Sequence, residues 1–101
     1  MMDLELIKNV ENWAEDRGIL NQATPIAQMR KTVEEVSELQ AEIVDGRDTE
    51  GQMELGDVVV TLIIQCKMQG WDIGECLQMA YDKIKGRSGE MRDGQFVRDR
   101  S

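Results

Sequence analysis

The chain has 101 residues, of which 41% are apolar, and it carries a formal net charge of −8. This length fits one domain, and the apolar content is normal for a globular protein and too high for a disordered one. Histidine is absent, which excludes Ser-His-Asp and Cys-His catalysis and histidine-bound zinc. It also makes a redox di-iron protein a remote alternative, because such bundles use Glu-x-x-His ligands.

Helical periodicity extends over most of the sequence. It predicts four helices and a polar tail, over about residues 3–17, 24–45, 48–69, 72–85 and 86–101. Glycines follow the helical segments as typical stop signals. Thr24-Pro25 and the pair Asp72 and Glu75 are typical helix starts.

The third predicted helix, residues 48–69, is apolar on nearly all sides. A helix of this kind is expected to be fully buried, which needs more cover than one chain of this length easily provides. In the tail, Asp93-Gly94 predicts a tight turn between two short strands. The predicted fold class is therefore all-α, a four-helix bundle completed by oligomerisation, with a short C-terminal tail or hairpin.

Export and membrane insertion are not indicated. The two cysteines, Cys66 and Cys76, are too few for a disulfide framework. No apolar run reaches the roughly 18 residues of a membrane span, and the first residues lack the pattern of a signal peptide. A cytoplasmic protein without membrane contact is expected.

The charge is unevenly distributed. Residues 34–57 contain nine acidic side chains and one basic side chain, whereas residues 83–101 contain six basic and three acidic ones. The middle of the chain is thus suited to cations and the end to anions. Binding to nucleic acid is disfavoured, because a phosphate backbone needs a broad basic surface.

Five acidic residues form two short motifs on neighbouring predicted helices. Glu34, Glu35 and Glu38 make E-E-x-x-E on the second helix, and Glu54 and Asp57 make E-x-x-D on the third. The short link predicts antiparallel helices. Glu38 then lies about 12 Å from the link, and Glu54 and Asp57 about 9 and 13 Å from it, so the two motifs are level and can face each other.

Carboxylates gathered in this way repel one another strongly when they are partly buried. A solvated helix face explains either motif alone, but the two motifs together favour a bound cation. Ligands that are all oxygen indicate Mg²⁺ or Mn²⁺, with Ca²⁺ as an alternative.

The motif E-E-x-x-E, fifteen residues, then E-x-x-D resembles the signature of MazG-like, all-α nucleoside triphosphate pyrophosphohydrolases. The resemblance covers about residues 5–98 and is closest to the small single-domain proteins of bacteria and phages. It includes Trp13 with Asp16-Arg17, the segment TPIAQ with Lys31, ELGDVVV, and AYDKIKGRSGEM-x-DG-x-FV. Gly89 departs from the pattern, because relatives often carry Lys there.

The resemblance implies Mg²⁺-dependent cleavage between the α and β phosphates of nucleoside triphosphates, with Mn²⁺ as a substitute. The implied metal ligands are Glu35, Glu38, Glu54 and Asp57. Glu34 would be the base that activates water or an outer ligand, and Lys85 and Arg87 would contact phosphate. The alternative for these two cations is an ordinary interaction with the helix dipole.

Three further residues are candidates for substrate binding. Asp82 would orient the nucleotide. Lys31 would reach the triphosphate or pair with Glu35 four residues later. Trp13 would stack on the base or lie in the core or an interface.

Several alternatives stay open within this interpretation. The resemblance implies a homodimer or homotetramer acting on nucleoside triphosphates. Its biological role stays open between housecleaning of the nucleotide pool, control of phage nucleotides and lowering of alarmones. A dUTP- or dCTP-specific enzyme, or a phosphoribosyl-ATP pyrophosphohydrolase, would keep the same motifs. A non-catalytic helical protein that binds metal and regulates a partner is the alternative from outside the enzymes.

Overall fold

The structure is a computed structural model that describes residues 3–99. Its elements are α1 (Leu4–Asp16), α2 (Ile19–Gln22), α3 (Pro25–Val44), α4 (Asp48–Gln69), α5 (Ile73–Ile84), β1 (Gly89–Arg92) and β2 (Gln95–Arg98). The predicted all-α class is confirmed, and each long helix ends within one residue of its predicted bounds. Arg100, counted above in the basic tail, lies outside the described residues.

The segment after Gly18, which lies between the first two predicted helices and was expected to be a loop, is a short helix. Gly18 adopts a left-handed conformation with φ of 78°, which ends α1. The amides of Gln22 and Ala23 then donate to the carbonyls of Gly18 and Ile19, both at 3.0 Å. Four residues are too few for hydrophobic periodicity to reveal a helix. The described chain therefore has five helices, and the prediction had four.

Local capping explains where the longer helices begin. Asp3, Thr24 and Asp72 each accept a hydrogen bond from the backbone amide three residues later. These side-chain oxygens satisfy amides that have no partner within the helix. The start signals predicted at Thr24-Pro25 and Asp72 are thus confirmed.

The first compact unit extends to Trp71 and is organised around α4. α1, α2 and α3 all pack against α4. Its buried apolar side chains, among the described residues, are Ala14, Val58, Ile63 and Ile64. α3 and α4 are antiparallel neighbours joined by residues 45–47, as the short link predicted.

Polar side chains fix the register of α3 against α4. The Gln28 side-chain amide donates to the Thr61 carbonyl at 3.1 Å, and the Thr32 hydroxyl donates to the Thr61 hydroxyl at 2.9 Å. Thr61 in turn donates to the Val58 carbonyl at 2.7 Å. These side chains are buried, so a shift of one helix along the other would leave unpaired polar groups.

We expect Thr32→Val and Thr61→Val each to lower the free energy of unfolding by about 1 kcal/mol, because each leaves a buried hydroxyl or carbonyl short of a partner. The double variant should lose less than the sum of the two, since it removes both hydroxyls. Urea unfolding of the four proteins measures this coupling. Strictly additive losses would show that the hydroxyl pair contributes nothing.

In the single chain, α4 is not buried on all sides, as expected for a helix that needs cover from a second chain. Met53 is 67% exposed, Leu55 53% and Leu62 37%. The three helices that pack on α4 cover only part of its surface.

The second unit begins at Asp72 and contains α5 and a β-hairpin. β1 and β2 pair antiparallel, with Gly89 opposite Arg98 and Met91 opposite Phe96. The predicted turn at Asp93-Gly94 is confirmed, with φ of 50° and 78°, as a two-residue hairpin turn requires. No helix among residues 3–99 is long and apolar enough to cross a lipid bilayer.

Candidate active site

Three carboxylates from the two long helices converge on one point of the α3–α4 hairpin. α3 supplies Glu35 and Glu38, and α4 supplies Glu54. One carboxylate oxygen from each lies within 4.8 Å of the others. We call these three residues the carboxylate cluster. The antiparallel hairpin thus brings together the two motifs that the sequence analysis placed level with each other.

Burial and mutual repulsion alter the acidity of two cluster members. Burial is the largest cause of a raised pKa at Glu35, and a hydrogen bond and the charge of Glu38 add to it. Burial is also the largest cause of a raised pKa at Glu54, and the charges of Asp57 and Glu35 raise this pKa further. The charged form of each group is therefore disfavoured without a compensating cation.

Two oxygens of the cluster have no hydrogen-bond partner. Glu35 Oε2 and Glu54 Oε2 are both buried and unpaired among the described residues. A buried carboxylate oxygen without a partner is costly, and a cation removes that cost. The donor set is all oxygen, which fits a hard divalent ion such as Mg²⁺. The residues present therefore fit the metal that the sequence analysis predicted.

Asp57 lies outside the 4.8 Å cluster but acts on it. Its charge raises the pKa of both Glu35 and Glu54, and its side chain is exposed. Three of the four predicted metal ligands are thus gathered together, and the fourth lies near them with access to solvent.

Glu34 and Lys31 flank the cluster on α3. The Lys31 ammonium lies 3.6 Å from Glu35 Oε1 and 3.7 Å from Glu34 Oε1. Glu34 is 60% exposed, whereas Glu35 is 13% exposed. The adjacent glutamates therefore have different environments, and the Lys31 side chain adopts the pairing that was one of its two predicted roles.

Glu42 was not predicted as a site residue. Its Oε1 accepts from Arg47 at 2.9 Å, and its Oε2 is buried without a hydrogen-bond partner in the described chain. Glu42 follows Glu38 by one helical turn, a spacing that could have indicated that it shares the inward face. The polar residues Gln28 and Thr32 were not predicted to be buried either.

The remaining predicted substrate contacts are distributed over both units. In the second unit, Lys85 lies 3.1 Å from Asp82 Oδ1 and 5.8 Å from the centre of the Tyr81 ring. In the first unit, Trp13 is 46% exposed, with the Arg17 guanidinium 5.5 Å from its ring centre.

The hairpin leaves no room for a side chain at Gly89, the position that departs from the pattern. A Cβ at this position would lie 2.6 Å from Phe96 Cζ and 2.8 Å from Arg98 Cα, and it would also collide with the Val97 carbonyl. No side chain fits there without a change in the hairpin. A lysine at this position, which the resemblance led us to expect, is therefore incompatible with this local packing.

Gly56 lies in α4 between Glu54 and Asp57, and a Cβ there would meet nothing within 4 Å. We expect Gly56→Ala to raise the free energy of unfolding by about 0.5–1 kcal/mol, because alanine favours helix. Gly51→Ala is the matched control in the same helix, since its Cβ would make only an ordinary 4.0 Å contact with Glu42. Urea unfolding measures both, and a loss of stability confined to Gly56→Ala would contradict the open space at that position.

Comparison with known proteins agrees with this site. The sequence matches the MazG nucleotide pyrophosphohydrolase domain over residues 23–91, a range that includes all five acidic residues of the two motifs. It is also 37% identical over 73 residues to an uncharacterised 18.2 kDa protein in the rep–hol intergenic region of Haemophilus phage HP1. That alignment covers 71% of this chain and 45% of the phage protein. No solved structure matches. The chain belongs to the MazG nucleotide pyrophosphohydrolase family.

Proposed function

We propose that this protein is a Mg²⁺-dependent enzyme that hydrolyses nucleoside or deoxynucleoside triphosphates between the α and β phosphates. The products would be a nucleoside monophosphate and pyrophosphate. The observation that supports this most directly is the carboxylate cluster, in which two buried oxygens lack a hydrogen-bond partner. An all-oxygen cluster on a MazG domain is suited to a divalent ion that binds a triphosphate.

The acidic residues divide into ion-holding and proton-accepting roles. Glu35, Glu38 and Glu54, together with Asp57, would hold Mg²⁺ or, as a substitute, Mn²⁺. When bound, the ion supplies charge neutralisation for the phosphates and activation of water. Glu34 is exposed beside the cluster, and its carboxylate can accept the proton of the attacking water or orient that water. Lys31, which lies within 4 Å of the Glu34 and Glu35 carboxylates, would reach the triphosphate or stay paired with Glu35.

The basic and aromatic residues are assigned to the nucleotide. Lys85 and Arg87 would offset the charge of the pyrophosphate leaving group. Asp82, at 3.1 Å from Lys85, would orient that ammonium group. Trp13, which is half exposed, would stack on the base. We propose that residues 1–101 act as one domain in this reaction, since the family match includes residues of both compact units.

The exposed apolar side chains of α4 support a homodimer or homotetramer. Met53, Leu55 and Leu62 are large apolar residues left uncovered in one chain, and burial against a second copy would remove them from water. The same proposal assigns no nucleic-acid or membrane partner. It places the enzyme in the cytoplasm, with housecleaning of the nucleotide pool as its role.

A product assay tests the reaction. Purified protein is incubated with a panel of NTPs, dNTPs and phosphoribosyl-ATP in Mg²⁺ and in EDTA, and phosphorus NMR identifies the products. Hydrolysis in ¹⁸O-labelled water shows which phosphorus atom is attacked. We expect monophosphate carrying ¹⁸O and unlabelled pyrophosphate, only in Mg²⁺. Diphosphate with orthophosphate would contradict α–β cleavage, and binding of Mg²⁺ without turnover on the whole panel would favour a regulatory protein.

A further inference from the structure

The hairpin of the second unit forms a concave surface. The proposed function assigns a role to only one of its lining residues. The open space that this surface borders has a volume of about 920 Å³. It is lined by residues 86–88, which lead into β1, and by residues 96–99 of β2 and its end. We call this surface the hairpin cleft. Arg87, already assigned to phosphate, is one of its lining residues, and Arg98 is another.

Both arginines of the hairpin cleft are available for an anion. Within residues 3–99, neither Arg87 nor Arg98 forms an ion pair with a carboxylate. Asp99, the acidic residue of the lining, accepts a hydrogen bond from the Ser88 hydroxyl at 2.9 Å. Arg92 differs, because its guanidinium donates to Glu90 at 2.7 Å and its charge is thereby neutralised.

The strand register explains why no side chain lies directly across from Arg98 on the neighbouring strand. Directly opposite residues in an antiparallel pair share one face of the sheet, so Arg98 shares its face with Gly89, which has no side chain. Phe96 lies two residues away on the same face, and its Cζ lies 2.6 Å from the position of a Gly89 Cβ. The ring therefore covers the glycine, an arrangement that stabilises glycine in a sheet edge. Arg98 is left beside the ring, with no side chain directly across from it on β1.

We propose that Arg98, together with Arg87, binds the phosphate groups of the triphosphate chain in the hairpin cleft. A guanidinium matches phosphate oxygens with two parallel N–H donors, and two such groups on one concave surface suit a polyphosphate better than a single phosphate. The identification of the anion as a nucleotide triphosphate rests on the proposed function. The presence of a polyphosphate site is inferred from the hairpin cleft and its two arginines, and it does not depend on the proposed function.

Arg92 provides a matched control for this proposal. It lies on the same hairpin and carries the same charge, but it does not line the hairpin cleft and it is paired with Glu90. Arg98→Gln and Arg92→Gln therefore change the net charge equally. Both side chains are exposed, so we expect circular dichroism and thermal unfolding to be unchanged in either variant.

The test measures binding of inorganic tripolyphosphate to the full chain by calorimetry, in EDTA and at low ionic strength. We expect Arg98→Gln to raise the Kd about tenfold, as for the loss of a charge-assisted contact, and Arg92→Gln to raise it less than about twofold. ATP should respond to Arg98→Gln in the same way, and adenosine should not bind at the cleft. Absence of tripolyphosphate binding to the unmodified protein, or an equal effect of both variants, would overturn the proposal.

The outcomes separate this inference from the proposed function. Binding of tripolyphosphate that depends on Arg98, without hydrolysis of any nucleotide, would support the hairpin cleft and contradict the enzymatic proposal. Hydrolysis with an unchanged KM and unchanged tripolyphosphate binding in Arg98→Gln would retain the enzyme and reject the cleft.

Discussion

Glu54→Gln should lower kcat/KM at least about 100-fold in Mg²⁺ and, at the same time, stabilise the metal-free protein at neutral pH. Changes to outer groups around metal sites already cost about 10- to 100-fold, so loss of a direct ligand should cost at least as much. The stabilisation follows from the raised pKa of Glu54, whose burial and neighbours Asp57 and Glu35 disfavour its charged form. Glutamine has nearly the same shape and no charge to desolvate.

Steady-state kinetics and thermal unfolding in EDTA measure the two effects on the same samples. Glu50→Gln is the matched control, because Glu50 lies in the first turn of α4 and outside the cluster. It should leave turnover unchanged and slightly lower stability, since an acidic residue in a first helical turn is favourable. Full turnover in Glu54→Gln, or a lower unfolding temperature of its metal-free form, would contradict our assignment of Glu54.

The stability of the metal-free protein should fall as the pH rises above about 4.5, and added Mg²⁺ should restore it at neutral pH. The pKa of Glu35 and of Glu54 is raised above the ordinary value of 4.5, so the folded form binds more protons than the unfolded form between 4.5 and the raised values. The contribution of these two groups to stability is therefore fully present below this window and is lost as the pH rises through it.

Thermal unfolding between pH 4.5 and 8 in EDTA measures this dependence. The slope should be smaller in the double variant Glu35→Gln and Glu54→Gln, which lacks both groups. A divalent ion at about 100 times its Kd should stabilise the unmodified protein by about 2.7 kcal/mol and leave the double variant unchanged. An equal response of the two proteins to Mg²⁺ would place the ion elsewhere.

Local chemistry was enough to predict most of the secondary structure. Thr24 and Asp72 fixed helix starts through hydrogen bonds to amides three residues away, and Asp93-Gly94 fixed the hairpin turn through its backbone conformation. These interactions involve neighbours in sequence, so the residues alone reveal them. The short helix after Gly18 was missed because one helical turn carries no periodic signal.

Part of the candidate site could also be predicted from spacing. Two helices joined by a short link run antiparallel, and a rise of about 1.5 Å per residue then makes Glu38 and Glu54 level. Their convergence within 4.8 Å with Glu35 follows from that arithmetic together with the inward face of each helix. The match to the MazG domain over residues 23–91 agrees with the motif that the spacing singled out.

The sequence by itself therefore determined the four longer helices, the hairpin turn, the acidic character of the middle of the chain and the family. The tertiary structure decided which side chains are buried. Glu34 and Glu35 are adjacent and chemically identical, yet only Glu35 lies against α4, because 100° of helix rotation separates them. Likewise, only the paired strands show that Phe96 occupies the space beside Gly89. Burial and contact depend on residues distant in sequence, which no local pattern encodes.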